Sequence, residues 1–294
     1  MDSLQVTIDI FSGRENPTIE FKRDEAKAIL ERLRPKGEIR PKKALPPMPT
    51  LGYRGLLIEQ SGDPVEGLPK TFRYAHGDMF GPGFASRATD ENFEDFFISL
   101  DGVKELGRDF PKAVKGEIDR FRDLRERIVV GRTKWPPLYN PCKCAPIYEP
   151  EWWNVPTIQP YNNCYNYATD YRTEPRAQPG RAAGAMYTAL SCPAVKAAAI
   201  KDDLIDTLAS QNACPAKGHL VALVVWPPTS PYDGDYHWYR KGQNGYWSHK
   251  PGSMAVTNLD NSDALISDPR TANRGPYTDF CGFMVVKHGH IKIK

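Results

Sequence analysis

The sequence predicts an α+β protein: a small N-terminal α+β domain over residues 1–133, a Pro-rich connector over 134–160, and a second domain over 161–294 in which helices precede a sheet. Three observations carry that prediction. Leu4, Val6, Ile8 and Ile10 alternate with mostly polar residues, the period-two signature of a half-buried strand. Residues 135–160 carry Pro136-Pro137, Pro141, Pro146, Pro150, Pro156 and Pro160, which excludes a long helix or a central strand. After residue 160 the order of elements is helices first and apolar or aromatic strands second.

In the N-terminal domain, Ser12-Gly13-Arg14-Glu15-Asn16-Pro17 closes a hairpin between the first strand and an alternating Thr18-Ile19-Glu20-Phe21 strand. Its Gly, Asn and Pro are the residues of a tight turn, so Arg14 there is read as a turn residue rather than part of a site. Residues 24–33 follow as a helix with Ala26, Ile29, Leu30 and Leu33 on one face. Residues 35–50, rich in Pro and Lys, read as a loop. Residues 54–60 and 71–75 read as strands, and 92–100 and 114–129 as helices.

The second domain opens with a helix from Cys164 to about Tyr171, broken by Gln178-Pro179-Gly180. Ser191 caps a further helix with Pro193 in its first turn, running to about Leu208. The continuous apolar run 219–226 reads as a buried strand. Residues 236–240 and 246–250 form a hairpin around Lys241-Gly242-Gln243-Asn244-Gly245, followed by a short strand at Leu265-Ile266 and a buried strand over 280–286.

Bulk properties exclude several functions. The chain has 294 residues and a net charge of +3, too small for a nucleic-acid or anionic-membrane footprint. No apolar run reaches the roughly 20 residues that span a bilayer. MDSLQVTIDIF lacks a basic region followed by an apolar one, so a cytoplasmic protein is expected, with export without a visible signal peptide as the alternative. Six cysteines in a chain this long do not form a dense scaffold, so free thiols are expected; in an exported protein a Cys192–Cys214 bridge fits, whereas Cys142 and Cys144 stand too close to bridge each other. No metal site is expected, because Cys142-Lys143-Cys144 lacks a second close pair and His288-Gly289-His290 reads as an exposed tail. Neither a P-loop nor a dinucleotide fingerprint is present, so no cofactor is expected.

The chemistry-bearing residues lie in three phrases: Asn162-Asn163-Cys164-Tyr165-Asn166, Asp235-Tyr236-His237-Trp238-Tyr239 and Tyr246-Trp247-Ser248-His249. A cysteine at a helix N-terminus gains thiolate character from the helix dipole and from a neighbouring imidazolium. Cys164 is therefore the candidate nucleophile, His237 the general base and His249 the residue that orients it. A hairpin centred on Gln243 places His237 directly opposite His249. Asp260 and Asp268 are alternative orienting residues. Trp152-Trp153 and Trp238 are candidates to line a substrate groove. The competing reading of Cys164 is a buried small residue.

This constellation resembles the NlpC-type branch of the papain-like cysteine peptidases over roughly residues 161–286. In that family a cysteine begins a helix packed on an antiparallel sheet, a histidine follows on one strand, and a third polar residue, often histidine, follows about a dozen residues later. The resemblance implies a thiol hydrolase acting on a peptide or amide bond, without a cofactor, with an oxyanion hole built from the Cys164 N–H and an upstream donor. The papain pattern points to Gln159 and the NlpC pattern to Tyr161. This chain reads Asn-Cys-Tyr-Asn where many members have Asp-Cys-Ser-Gly, and its insert between cysteine and histidine is long. Two alternatives stand beside the hydrolase: a non-catalytic binding or structural module on a degenerate papain-like fold, and an acyl or amide transferase using the same pair. The oligomeric state is not legible.

Overall fold

The alternation that opens the chain becomes strand β1 (Ser3–Ile8), with Leu4, Val6 and Ile8 fully buried. The computed structural model describes residues 3–36, 50–81, 84–127, 141–207, 211–229, 233–289 and 291–294. Most of the predicted 35–50 loop, the 133/134 boundary, the first part of the connector, the last residues of the predicted 114–129 helix, and Leu208 and His290 lie outside them. The chain divides into two units. One comprises Met1–Ile10, Asn16–Met48 and Tyr53–Glu126, the other Phe11–Glu15, Pro49–Gly52 and Arg127–Lys294. Two short N-terminal segments therefore belong to the second unit, as does the described part of the connector, which the predicted boundaries had set apart.

In the first unit, β1 pairs antiparallel with β2 (Thr18–Lys22) and β3 (Leu56–Gln60), and the sheet continues through β4 (Thr71–Ala75), β5 (Asp78–Gly81) and β6 (Phe84–Arg87) in the order β2-β1-β3-β4-β5-β6. The helices are α1 (Arg23–Arg32), α2 (Phe93–Ser99), α3 (Asp101–Lys104) and α4 (Phe110–Arg127). Strands β5 and β6 were not predicted: four residues each, they bury only Met79 and Phe84, too little for a period to register. The Asp9 carboxylate is buried between Arg54 Nη2 at 2.5 Å and Arg73 Nη1 at 2.8 Å, so its charge is matched where water is excluded.

The second unit is a helix-on-sheet layer. Two short elements, α5 (Pro150–Trp153) and a 3-10 turn (Gln159–Tyr161), lead into α6 (Cys164–Thr169). Then come α7 (Cys192–Lys201), β7 (Ile205–Asp206), β8 (His219–Trp226), β9 (Asp235–Lys241), β10 (Trp247–His249) and β11 (Asp279–Val286), in an antiparallel sheet of order β10-β9-β8-β11-β7. Cys164, Tyr165 and Ala168 of α6 and Val195 and Ala199 of α7 share one core with Val221, Leu223, Val225, Tyr236, Trp238, Met284 and Val286. These strand positions alternate, so both helices lie on one face of the sheet. Helix α7 ends at Lys201, earlier than predicted, because the chain turns at Asp202 and Asp203 (φ +70°) to form β7 against β11. Ser191 occupies its N-cap but makes no side-chain capping bond. The predicted strand at Leu265-Ile266 reduces to a single bridge between Leu259 and Leu265.

The cysteines correct the expectation of free thiols. Cys142 pairs with Cys214 and Cys192 with Cys281, leaving Cys144 and Cys164 free. The Cys192–Cys214 pairing does not occur. Cys192 sits on α7, which packs on β11, and Cys281 is the β11 residue it meets, at a Cα–Cα distance of 5.0 Å. This bridge joins residues 89 apart in sequence. Its removal in Cys192→Ser/Cys281→Ser is expected to lower unfolding free energy by about 2–5 kcal/mol, measured by urea titration under non-reducing conditions.

Candidate functional site

The site is best built from α6. Its N-cap is Asn163, whose Oδ1 accepts from the N–H groups of Tyr165 and Asn166, each at 3.1 Å. Asn166 Oδ1 returns the bond by accepting from Asn163 N at 3.1 Å, completing a capping box. The Asn-Cys-Tyr-Asn phrase is thus spent on satisfying the helix's open N–H groups. All six residues of α6 are buried. Three side chains from other elements hold the helix and the segment leading into it. Lys250 Nζ donates to Gln159 O (2.6 Å), Asn162 O (2.6 Å) and Gly252 O (2.7 Å). Arg240 donates to Tyr167 O and to Asp170 Oδ1, matching the open carbonyl end of the helix. His219 Nε2 lies 2.7 Å from Ala168 O, and since a carbonyl only accepts, that nitrogen carries the hydrogen.

Cys164 has 0% exposure. Its Sγ lies 4.0 Å from Tyr236 O, and its electrostatic neighbours are Asp235, the Trp238 N–H and Lys250. Burial pushes the thiol well above its ordinary range, and Asp235 adds to the rise, outweighing Lys250 and the Trp238 N–H. A six-residue helix supplies too small a dipole effect to reverse this. Among the described residues no hydrogen bond joins the thiol to an imidazole. Tyr236 and Trp238 share the helix-side core with Cys164, so strand alternation puts the His237 side chain on the other face of β9.

The two histidines meet one another. His237 Nε2 lies 2.9 Å from His249 Nδ1, and His249 Nε2 lies 3.0 Å from Leu259 O. The carbonyl fixes a hydrogen on His249 Nε2, so in neutral rings His249 accepts at Nδ1 and His237 donates from Nε2. The register differs from the predicted one. His249 stands opposite Tyr239, because the hairpin centres on residue 244, and it reaches His237 along the diagonal. Both rings are buried and packed against Tyr239, with Tyr277 beside His237.

The other predicted site residues are engaged elsewhere. Gln159 Nε2 donates to Ser253 O, and the Tyr161 side chain is 53% exposed. Asp260 accepts from the N–H groups of Ser262, Ala264 and Asn273, and Asp268 holds Arg270; both organise their own loops, while Leu259 O takes the orienting position beside His249. Trp153 and Trp238 cannot line a groove: they are 2% and 0% exposed, and pack on Tyr167 and Tyr165 at ring distances of 5.3 and 5.4 Å. Their size makes them core anchors. Trp152, 60% exposed, lies under the Arg172 guanidinium at 4.0 Å. Among the described residues no group of three His, Cys, Asp or Glu side chains fits a metal ion, and no helix is long and apolar enough to cross a membrane.

The feature that sequence reasoning missed is the segment Phe11–Glu15. The Asp235 carboxylate, fully buried, accepts from three successive backbone N–H groups: Ser12 at 2.6 Å, Gly13 at 3.2 Å and Arg14 at 3.1 Å; the Tyr277 hydroxyl adds a fourth donor at 2.5 Å. Burial raises the Asp235 carboxyl above its usual range, and these donors with Arg14 pull against that rise. Gly13 O in turn accepts from Asn163 Nδ2 (3.0 Å), Gln178 Nε2 (2.7 Å) and the Tyr236 hydroxyl (3.1 Å). A Cβ on Gly13 would stand 2.6 Å from both the Tyr236 ring and its carbonyl oxygen, the same oxygen that lies beside Cys164 Sγ. The loop therefore closes over the N-terminal end of α6. The one available signal was Gly13 itself, which was read as a turn residue.

No known family profile and no solved structure match the chain. One curated relative is insoluble matrix shell protein 1 of Ruditapes philippinarum, 46% identical over 143 residues, which are 49% of this chain and 91% of that protein. The chain belongs to that protein's family.

The anchoring of α6 makes stability depend on acid. Burial, with smaller contributions from Arg240 and His288, lowers the His219 pKa to about 3 against the bond to Ala168 O. The unfolded chain binds a proton near the ordinary value of about 6.5, so folding stability is complete above that pH and is lost as pH falls toward 3. The loss is expected to approach about 1.4 kcal/mol per pH unit. Urea titrations between pH 4 and 8 should show His219→Gln, which keeps a donor but cannot titrate, with a shallower acid decline than the wild type.

Proposed function

We propose that this protein is a non-catalytic structural component of an insoluble extracellular matrix, built on a papain-like framework whose thiol is sealed. The observation that carries this reading is the state of Cys164: no exposure, a pKa raised by burial, and a Gly13 loop packed on Tyr236, whose carbonyl oxygen lies 4.0 Å from the sulfur. Cysteine catalysis needs a thiolate beside an imidazole and access for a carbonyl. The packing of α6 on an antiparallel sheet supports the papain-like framework, and the matrix assignment draws on the 46% identical insoluble matrix shell protein.

Two disulfides favour export over the cytoplasmic location expected from the N-terminus, because such bonds persist in oxidising compartments. Within this reading, the His237–His249–Leu259 chain is a buried hydrogen-bond network that fixes β9 against β10 and the following loop. The hydrolase and the transferase readings both require Cys164 to be reachable, and so share one objection.

Alkylation with iodoacetamide from pH 5 to 9, resolved by peptide mass spectrometry, tests the proposal. The expected result is labelling of Cys144 and none of Cys164 in the folded protein at any pH, unchanged in His237→Ala. Rapid labelling of Cys164 near pH 6, lost in His237→Ala, would overturn it and restore the thiol hydrolase. Antibodies against the chain should stain the insoluble fraction of its source's extracellular matrix.

A further inference from the structure

Three of the cysteines form a cluster that the reading above leaves unused. Cys144 is an exposed free thiol two residues from Cys142, whose disulfide partner is Cys214. Cys144 Sγ lies 3.8 Å from Ala216 O, two residues beyond Cys214. The free thiol thus stands beside both segments that the disulfide joins. The turn carrying it is fixed: Cys142 N donates to Gln243 O, Ala145 N donates to Cys142 O, and His288 Nε2 lies 3.2 Å from Cys144 O.

The two residues of the disulfide are unequally exposed. Cys142 is 2% exposed, whereas Cys214 is exposed. An incoming thiolate reaches Cys214 and expels Cys142. Within one copy the two groups lie side by side on the same surface, so each copy presents a nucleophile and an electrophile to its neighbours.

We propose that Cys144 is a cross-linking nucleophile that joins copies of this chain by thiol–disulfide exchange, an inference that rests on the matrix reading. The Cys144 thiol gives its proton to solvent and attacks Cys214 of a second copy. A Cys144–Cys214 bond forms between chains, and the Cys142–Cys214 bond of the second copy breaks. Cys142 of that copy leaves as a thiolate and takes up a proton. One disulfide is made for each one lost, so no oxidant is required. The second copy keeps its own Cys144 thiol and can attack a third, while the first keeps an intact Cys142–Cys214 bond open to attack. Donor and acceptor sulfurs are different residues, so successive single bonds build an open head-to-tail chain, whereas a reciprocal pair of bonds closes a dimer; the gel separates the ladder from the dimer. Such a covalent chain is a route to insolubility.

The test uses the full oxidised protein, mixed from equal parts of 14N- and 15N-labelled material and held without oxygen, oxidant or reductant at pH 6 and pH 8. The expected result is a ladder of oligomers on non-reducing gels, faster at pH 8, collapsed by dithiothreitol, and containing mixed-isotope Cys144–Cys214 peptides. Cys144→Ser and Cys144→Ala should both stay monomeric with Cys142–Cys214 and Cys192–Cys281 intact. A wild type that stays monomeric, exchange confined within single chains, or interchain peptides that lack Cys144 would overturn the proposal. A ladder formed by a protein that proves absent from the insoluble matrix would leave the cross-link standing and remove the matrix reading instead.

Discussion

The second unit depends on the burial of one carboxylate. Asp235 begins β9 with its side chain out of contact with water, and a buried acid without donors is costly by several kcal/mol. The cost is offset by the N–H groups of Ser12, Gly13 and Arg14 and by the Tyr277 hydroxyl. Three successive amides pointing to one anion form a concave nest that no single side chain could replace. The same loop then uses its Gly13 carbonyl to tie Asn163, Gln178 and Tyr236 together. One acid thus fixes a loop, and the loop fixes the cap of α6.

That arrangement sets the character of Cys164. Two effects compete at a cysteine that begins a helix: the dipole favours a thiolate, and burial disfavours it. Here burial prevails, with Asp235 adding its repulsion, and Sγ lies 4.0 Å from the Tyr236 carbonyl oxygen. The polar groups nearby serve cohesion. Lys250 caged by three carbonyls, Arg240 at the helix's carbonyl end and His219 on Ala168 O each donate to buried backbone acceptors. A rigid, doubly cross-linked unit of this kind suits the matrix role proposed from its 46% identical relative.

Much of the fold was legible because its signals are local. The period-two run at Leu4–Ile8 and the apolar run at His219–Trp226 became strands, and the Cys164 helix starts where it was expected. The β10 register was misplaced because the Asn244-Gly245 pair, a hairpin signal with Gly245 at φ +87°, puts the turn centre on residue 244 rather than 243. Asn163 and Asn166 stand at N-cap and N3 spacing, a capping signature visible in the sequence that was read as a catalytic phrase. The rest was not local. Cysteine pairing depends on which segments meet in space, so Cys142–Cys214 and Cys192–Cys281 could not be read from spacing. Likewise nothing near Gly13 announces Asp235, more than 200 residues away in the chain.

Amide hydrogen exchange at Ser12, Gly13 and Arg14 tests the central claim most directly. If these amides are held by the buried Asp235 carboxylate, their exchange in the native protein is governed by unfolding of the second unit, as slow as that of the β8 core, and becomes fast in Asp235→Ala. Exchange at the rate of an open surface loop in the wild type, unchanged by Asp235→Ala, would contradict the account and reopen Cys164 to chemistry.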